Sequence, residues 1–238
     1  MAGRLMTMPL RAITETLGEA GLRDRFRLEI AALPPPDRAA ADRALTLAAL
    51  LHRHDRRVRE PYLNHLLRVA IRIIAHYHLA DPELIAAALL HDAVEDHPQE
   101  LAGLPAGTPY AQAAEAALDV LADRFGPRVA ELVRAVTNPP FDPAGDRDAQ
   151  YRAHVVDSLD RHPWARVLKV SDFTDNAVGV GHTSGAKALS SAAKYRPLVP
   201  VFRELIGRPD TPLSAEAKRR VYRQLDLAEE RFAAILDH

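Results

Sequence analysis

The 238-residue chain contains no cysteine, which excludes disulfide bonds and thiolate metal sites. This absence fits a reducing compartment, and we expect a cytoplasmic protein. Aromatic residues make up only 5% of the chain, a composition that favours helices over sheet. No apolar run approaches the ~20 residues of a transmembrane helix. The net charge of −1 gives no electrostatic reason to expect nucleic-acid binding. We therefore expect neither membrane nor nucleic acid as a partner.

The near-neutral net charge conceals an uneven distribution along the chain. Residues 1–80 carry 13 Lys and Arg against 8 Asp and Glu, residues 81–160 carry 5 against 15, and residues 161–238 carry 13 against 9. An acidic middle with basic flanks suits a metal site beside a phosphate-binding surface. Solvated helix faces that happen to segregate explain the same pattern equally well.

Proline and glycine separate runs of strong helix formers, which predicts helices throughout the chain. The first 33 residues are interpreted as helices that pack on the domain. Further predicted helices span about 37–54, 62–79, 82–97, 110–124, 127–137, 147–161, 163–177, 185–206 and 214–236. No segment is typical of a strand, and no linker separates two cores. The sequence therefore predicts a single all-α domain.

The segment around residue 90 combines an apolar helix with a cluster of polar residues. Residues 84–90 carry no polar side chain and are followed by His91, Asp92, Glu95 and Asp96. On a helix with about 100° per residue these four side chains form one polar wedge. A buried, unpaired charge costs several kcal/mol or more, so something must neutralise them. A divalent metal with its water is the simplest explanation.

Other segments offer further ligands for this metal. His65 lies beside the apolar stripe of its predicted helix, and Lys169, Asp172 and Asn176 share one face of another. Taken singly, His65 is typical of a helix-edge histidine and Asp172 of a surface or capping acid. The adjacent histidine–aspartate pair on the apolar helix favours the metal site. Two imidazoles and two carboxylates favour Mn²⁺ or Fe²⁺ without excluding Zn²⁺.

Four segments resemble the HD-domain phosphohydrolases. Within that family they are most similar to the hydrolase domain of the RelA/SpoT enzymes and to the small alarmone hydrolases. The segments are Arg56-Arg57 with Glu60-Pro61-Tyr62 and His65, the run 86–96 with His91-Asp92 and Glu95-Asp96, the run 125–137 beginning Phe125-Gly126, and Lys169-Val-Ser-Asp172 with Asn176. They occur in the family's order and spacing over about residues 45–200. The resemblance implies an HD-domain helical bundle over 37–206, with a helical extension at 1–36 and a C-terminal helix over 207–238.

The resemblance also implies a site and a reaction. His65, His91, Asp92 and Asp172 would bind one Mn²⁺, although other divalent metals stay open. Glu95 and Asp96 would perform acid–base work, and Arg56 and Asn176 would contact the nucleotide. Because phosphates require cations, Arg57, Lys169, Lys194 and Arg196 are further candidates for substrate binding. The implied reaction is hydrolysis of the 3′-pyrophosphate of guanosine tetra- or pentaphosphate, or of the adenosine analogue, to pyrophosphate and the nucleotide. No synthesis is expected, and self-association stays open.

Several positions depart from the family pattern. Phe173 stands where a basic residue is usual, His97 stands where threonine is usual, and the segment after Asn176 does not match. These departures touch the expected surroundings of the substrate rather than the ligands. Two alternatives therefore remain: an HD-type nucleotidase or phosphatase acting on another nucleotide, and a non-catalytic alarmone-binding protein. His97 is a weaker candidate for the site, and His52 is interpreted as a surface or helix-face residue.

Overall fold

A computed structural model describes residues 2–57, 59–180 and 185–237, with side chains described except at residues 2 and 178–180. Part of the departing segment after Asn176, residues 181–184, lies outside the described residues. The described residues form helices and one isolated bridge, between Arg56 and Pro61. The helices are α1 (Ala2–Thr7), α2 (Leu10–Ile30), α3 (Pro35–Leu51), α4 (Leu63–Ala75), α5 (Pro82–Leu90), α6 (Ala93–Asp96), α7 (Pro98–Ala102), α8 (Tyr110–Phe125), α9 (Pro127–Val136), α10 (Arg147–Arg161), α11 (Pro163–Val180), α12 (Ala186–Tyr195), α13 (Leu198–Gly207) and α14 (Ala215–Leu236). The prediction of an all-α fold is confirmed.

Helix α5 is the centre of the first of two compact units, Met1–Thr137. Asp81 accepts a hydrogen bond from the backbone N–H of Leu84 (3.0 Å) and caps the helix, and Pro82 takes its first position. Every residue from 84 to 90 is buried, because α3, α4 and α9 all pack on α5. A helix that is apolar all round belongs in a core. The end of α5 therefore delivers the residues that follow it to the interior of the unit.

The second unit, Asn138–His238, is built around α11 and α14. Helices α11, α12 and α13 pack on α14, and α10 packs on α11 and α13. Phe173 of α11 is buried, with its ring 4.7 Å from that of Phe202 and 6.4 Å from that of Phe232. The departure from a basic residue at this position thus supplies an aromatic ring to the core of the unit.

Two predicted helices are each broken in the structure. The prediction of one helix from residue 82 to 97 is wrong, because α5 ends at Leu90 and α6 begins at Ala93. The ψ of −6° at Asp92 lies well away from the helical value near −42°. The predicted helix 185–206 is likewise two helices, α12 and α13. Pro197, which separates them, has no backbone N–H and cannot continue the hydrogen-bond ladder of α12.

The helical N-terminus is also present, as α1 and α2. Contacts divide the chain after Thr137, a division that differs from the three predicted segments 1–36, 37–206 and 207–238. The boundaries of these three segments stay a prediction.

In the part of the chain that the structure describes, no helix has both the length and the apolarity needed to cross a bilayer.

A buried ion pair holds the loop before α4 to the first unit and leads to a prediction about stability. Arg68 is fully buried, and its two terminal nitrogens donate to the carboxylate oxygens of Glu60 at 2.7 and 2.8 Å. Arg68→Met removes the bidentate partner of that carboxylate and leaves Arg11 (3.2 Å) and Asn64 (3.1 Å) beside it, so we expect the free energy of unfolding to fall by about 3 kcal/mol, the lower end of the range for a broken buried pair. In the control Arg134→Ala, which breaks an exposed pair with Glu115, the loss should stay under about 1 kcal/mol. Urea unfolding at neutral pH measures both variants, and equal losses would contradict the interpretation.

The same pair makes the stability loss pH-dependent. Burial acts to raise the pKa of Glu60, but hydrogen bonding and charge from Arg68 outweigh it and hold the pKa below its ordinary value. A carboxyl group with a lowered pKa stabilises the fold above its unfolded pKa of about 4.3, and this stabilisation is lost as the pH falls through the folded pKa. The difference between wild type and Arg68→Met should therefore shrink below about pH 4.

Candidate metal centre

Three side chains of the first unit converge at the packed ends of two helices. His65 lies in the first turn of α4, and His91 and Asp92 directly follow the last residue of α5. One ligand atom of each residue lies within 4.8 Å of the other two. Both imidazoles are buried, whereas the Asp92 side chain keeps 18% of its surface exposed. The group thus combines a buried interior with access from solvent.

The orientation of His91 shows which atoms face one another. Its Nδ1 lies 2.9 Å from the carbonyl oxygen of Ala88, and because a carbonyl can only accept, Nδ1 carries the hydrogen. In the neutral ring Nε2 is then an acceptor, and it lies 3.2 Å from Oδ2 of Asp92. His65 Nε2 lies 3.7 Å from the same oxygen, too far for a hydrogen bond. Lone pairs that face one another require a proton or a cation, so the donor set fits a divalent metal.

Tyr62 borders this group. Its hydroxyl donates to Oδ2 of Asp92 at 2.8 Å, and its ring lies 5.8 Å from that of His65. Burial first, then the charges of Asp92 and Asp96, raise the pKa of the Tyr62 phenol above its ordinary value. The phenol therefore stays protonated at neutral pH and remains a hydrogen-bond donor to the carboxylate.

The two candidate acid–base residues lie on α6. Glu95 is half-buried and Asp96 keeps an exposed surface. Desolvation by the surrounding protein is the main cause that raises the pKa of Asp96 to about 7, and the carboxylates of Asp92 and Glu95 add to it. A carboxyl group with a pKa near 7 can accept and release a proton near neutral pH. Burial, and after it the charges of Glu95 and Asp96, also raise the pKa of Tyr110, the first residue of α8.

The predicted fourth ligand belongs to the second unit and is buried there on α11. Lys169 Nζ lies 3.1 Å from Oδ2 of Asp172, and Asn176 Nδ2 donates to Oδ1 at 2.7 Å. The prediction that these three residues share one helix face is thus confirmed locally. Lys194 Nζ lies 4.3 Å from the ring centroid of Tyr151, and Lys169 Nζ lies 5.9 Å from the same centroid. The ammonium groups of both lysines therefore lie near the ring of Tyr151.

The predicted phosphate-binding arginines differ in their surroundings. The guanidinium of Arg57 lies 5.4 Å from the ring centroid of Tyr62, beside the metal group, and Arg56 is exposed in the same loop. Arg196 instead binds Glu229 (2.8 Å) and Asp237 (2.8 Å) within the second unit. For Arg196 to bind substrate, Glu229 and Asp237 would have to move away from it, or its guanidinium would have to contact the acids and the substrate together. The roles of all these residues stay predictions.

Sequence reasoning missed a second histidine–carboxylate group in the first unit. His52 was interpreted as a surface or helix-face residue; it lies directly after α3 and is no surface residue, since only 3% of it is exposed. His52 Nδ1 and His97 Nε2 both lie within hydrogen-bond distance of Oδ2 of Asp55, at 2.7 and 2.6 Å. The one available signal was the unusual His97 after the acidic pair. Its partner precedes it by 42 residues, and no local pattern connects the two.

The chain matches a family model and several known proteins. A family model of the HD domain matches residues 44–139. The guanosine-3′,5′-bis(diphosphate) 3′-pyrophosphohydrolase MESH1 of Drosophila melanogaster is 29% identical over 135 residues, which cover 56% of this chain and 64% of that protein. The human protein of the same name is 32% identical over 133 residues, covering 54% and 63%. An enzyme of Aquifex aeolicus named for the same reaction is 30% identical over 161 residues, covering 67% and 20%.

The chain therefore spans just under two thirds of the length of the fly and human proteins and one fifth of the Aquifex protein. A solved structure, described as a metazoan orthologue of SpoT that hydrolyses ppGpp, shares the fold. Its TM-score is 0.57 at 22% identity, covering 79% of this chain and 95% of that one. Residues 44–139 thus match the family model of the HD domain, and the chain shares its fold with that solved structure.

Proposed function

We propose that the protein is a metal-dependent hydrolase of the 3′-pyrophosphate of guanosine tetra- or pentaphosphate, or of its adenosine analogue. The products are GDP or GTP, or the adenosine equivalents, and pyrophosphate. The proposal depends on one observation: His65, His91 and Asp92 lie together, and the acidic pair Glu95 and Asp96 follows Asp92 on the next helix. The names of the relatives support the choice of substrate.

The proposed roles follow from the chemistry of each side chain. His65, His91, Asp92 and Asp172 hold one metal ion, for which the mixed nitrogen and oxygen donors favour Mn²⁺. A bound metal lowers the pKa of a coordinated water and polarises a phosphoryl oxygen. Glu95 and Asp96 take up and return the proton of the attacking water, and the pKa of Asp96, raised to about 7, suits this task.

Cationic side chains hold the substrate in this proposal. Arg56 and Arg57 lie in the loop that leads into Tyr62, and the guanidinium fork suits a phosphate group. Lys169, Asn176, Lys194 and Arg196 of the second unit complete the predicted nucleotide site. The two arginines precede Thr137 and the other four residues follow it, so the two sets belong to different units. Substitutions can therefore be made in one set without changing the other. We further propose a cytoplasmic protein that requires neither nucleic acid nor membrane.

A substrate panel tests the proposal. Purified protein is treated with a chelator and reloaded with Mn²⁺. Release of pyrophosphate and phosphate is then measured with guanosine and adenosine 3′-pyrophosphates and with ordinary nucleotides. We expect pyrophosphate from at least one 3′-pyrophosphate, loss of activity after chelation and recovery with Mn²⁺. Cleavage of ordinary nucleotides alone would favour another HD-type nucleotidase. Tight nucleotide binding without turnover would favour a non-catalytic receptor.

A further inference from the structure

The second histidine–carboxylate group, formed by His52, Asp55 and His97, lacks the spacing of a metal site. Oδ2 of Asp55 lies 2.7 Å from His52 Nδ1 and 2.6 Å from His97 Nε2. Ligand atoms bound to one cation at roughly 2.0–2.2 Å must themselves be about 3 Å or more apart. The distances instead match hydrogen bonds in which two imidazole N–H groups donate to one carboxylate oxygen. The group is therefore a hydrogen-bonded chain.

A series of contacts, two hydrogen bonds and one ring stacking, connects Asp55 to the candidate metal ligand Asp92. The imidazole of His52 stacks on the ring of Tyr62, with centroids 4.8 Å apart and an interplanar angle of 13°. The Tyr62 hydroxyl in turn donates to Oδ2 of Asp92 at 2.8 Å. Asp55 thus contacts the ring on which the tyrosine rests, and the tyrosine contacts the carboxylate.

The bond to Asp55 fixes the rotation of the His52 ring. The other ring nitrogen, Nε2, is buried and has no hydrogen-bond partner in the part of the chain that the structure describes. Without Asp55, no described hydrogen bond of the imidazole would hold the plane of the ring at this rotation. The orientation matters because the flat face of the imidazole supports Tyr62.

Backbone bonds place Asp55 at the centre of this loop. Its N–H donates to the carbonyl of His52 (3.1 Å), and its carbonyl accepts from the N–H of Tyr62 (3.1 Å). Its carboxylate also binds His97, the residue directly after Asp96. One residue therefore ties together the histidine, the tyrosine and the turn that carries the acidic pair.

We propose that Asp55, His52 and Tyr62 are positioning residues that orient the Asp92 carboxylate for metal binding. The inference rests on the proposed function only in taking His65, His91 and Asp92 as metal ligands, and it is independent of the substrate. Residues that orient a metal ligand typically change metal affinity by about 10- to 100-fold when they are replaced.

Isothermal titration of metal-free protein with Mn²⁺, in the absence of nucleotide, tests the proposal. Tyr62→Phe keeps the stacked ring and removes only the hydroxyl. We expect the Kd for Mn²⁺ to rise about 10- to 100-fold and the melting temperature of the metal-free protein to stay near that of wild type. Tyr222→Phe, the same deletion in the second unit, and His54→Asn, an exposed change in the same loop, are the controls. Both should bind Mn²⁺ as wild type does.

A double-mutant cycle separates positioning from general support of the loop. Asp55→Asn keeps the size of the side chain and one accepting oxygen but removes the negative charge that strengthens both hydrogen bonds, and we expect weaker Mn²⁺ binding. If Asp55 acts through Tyr62, adding Asp55→Asn to Tyr62→Phe should weaken binding by less than the product of the two separate fold-changes. Tyr62→Phe decides the question by itself if Asp55→Asn does not fold.

Four results would overturn the inference. They are wild-type affinity in Tyr62→Phe, multiplicative effects in the double variant, no Mn²⁺ binding by wild type, and two ions per chain of which Asp55→Asn removes one. Failure of the nucleotide assay with intact Mn²⁺ binding would instead overturn the proposed substrate and leave the positioning role standing.

Discussion

Glu95→Gln is expected to lower kcat for pyrophosphate release by about 10²- to 10⁴-fold, the usual range for loss of a general acid–base group. The amide has the shape of the carboxylate but cannot take up a proton. Because Glu95 is not one of the proposed ligands, the affinity for Mn²⁺ should change far less than the rate. Steady-state assays with the 3′-pyrophosphate and titration with Mn²⁺ measure the two quantities separately.

Glu100→Gln is the matched control for this change. Glu100 lies on α7, is exposed and binds Arg53 at 2.6 Å, so its replacement removes a carboxylate from the same region without touching the acidic pair. It should keep the wild-type rate. Asp96→Asn, measured in parallel, identifies which carboxylate of the pair contributes more to the rate. A wild-type rate in both Glu95→Gln and Asp96→Asn would refute the assignment of the pair.

Asp172→Ala is expected to remove bound metal and activity together while the helices remain folded. The carboxylate is buried on α11, and Lys169 and Asn176 hold both of its oxygens. If it is the fourth ligand, its loss should exceed the about 10- to 100-fold effect of residues that merely orient a ligand. Metal content after dialysis, the catalytic rate and the circular dichroism spectrum provide the three measurements.

Two further variants sharpen this test. Asp172→Asn retains a polar group beside Lys169 and separates loss of the negative charge from a packing defect. Asp226→Ala removes an exposed acid of the second unit that binds Arg203, and it should retain metal and activity. Full metal content and full activity in Asp172→Ala would show that the aspartate is no ligand. Unfolding of Asp172→Ala together with normal metal binding in Asp172→Asn would lead to the same conclusion.

The central helix illustrates how much local sequence predicts. A run of seven apolar residues after an Asp-Pro cap predicted the buried helix α5 and placed His91 and Asp92 at its end. The same reasoning wrongly continued the helix through Asp96. Periodicity reports which faces are apolar, but the interruption of one turn depends on the dihedral angles of His91 and Asp92. No residue there is a helix breaker that the sequence would reveal.

Prolines show where local sequence predicts helix boundaries well. Boundaries at Pro82, Pro127 and Pro163 were predicted closely, because proline is favoured in the first turn of a helix and excluded from its interior. Pro197 obeys the same rule and separates α12 from α13, although one helix was predicted over 185–206. The exclusion of proline from helix interiors would have placed this boundary correctly.

The amino-acid sequence alone predicted the all-α class, most helix boundaries and the proximity of His65 to His91 and Asp92, since these depend on propensity, periodicity and motif spacing, whereas the inclusion of Asp172 stays a prediction. Tertiary structure decided that His52 is buried, that Asp55 accepts from His97 across 42 residues, and that Tyr62 donates to Asp92. The physical reason is that a hydrogen bond is specific to atoms within about 3 Å. Only the packing of α3, α4 and α5, and the loops they support, brings those atoms together.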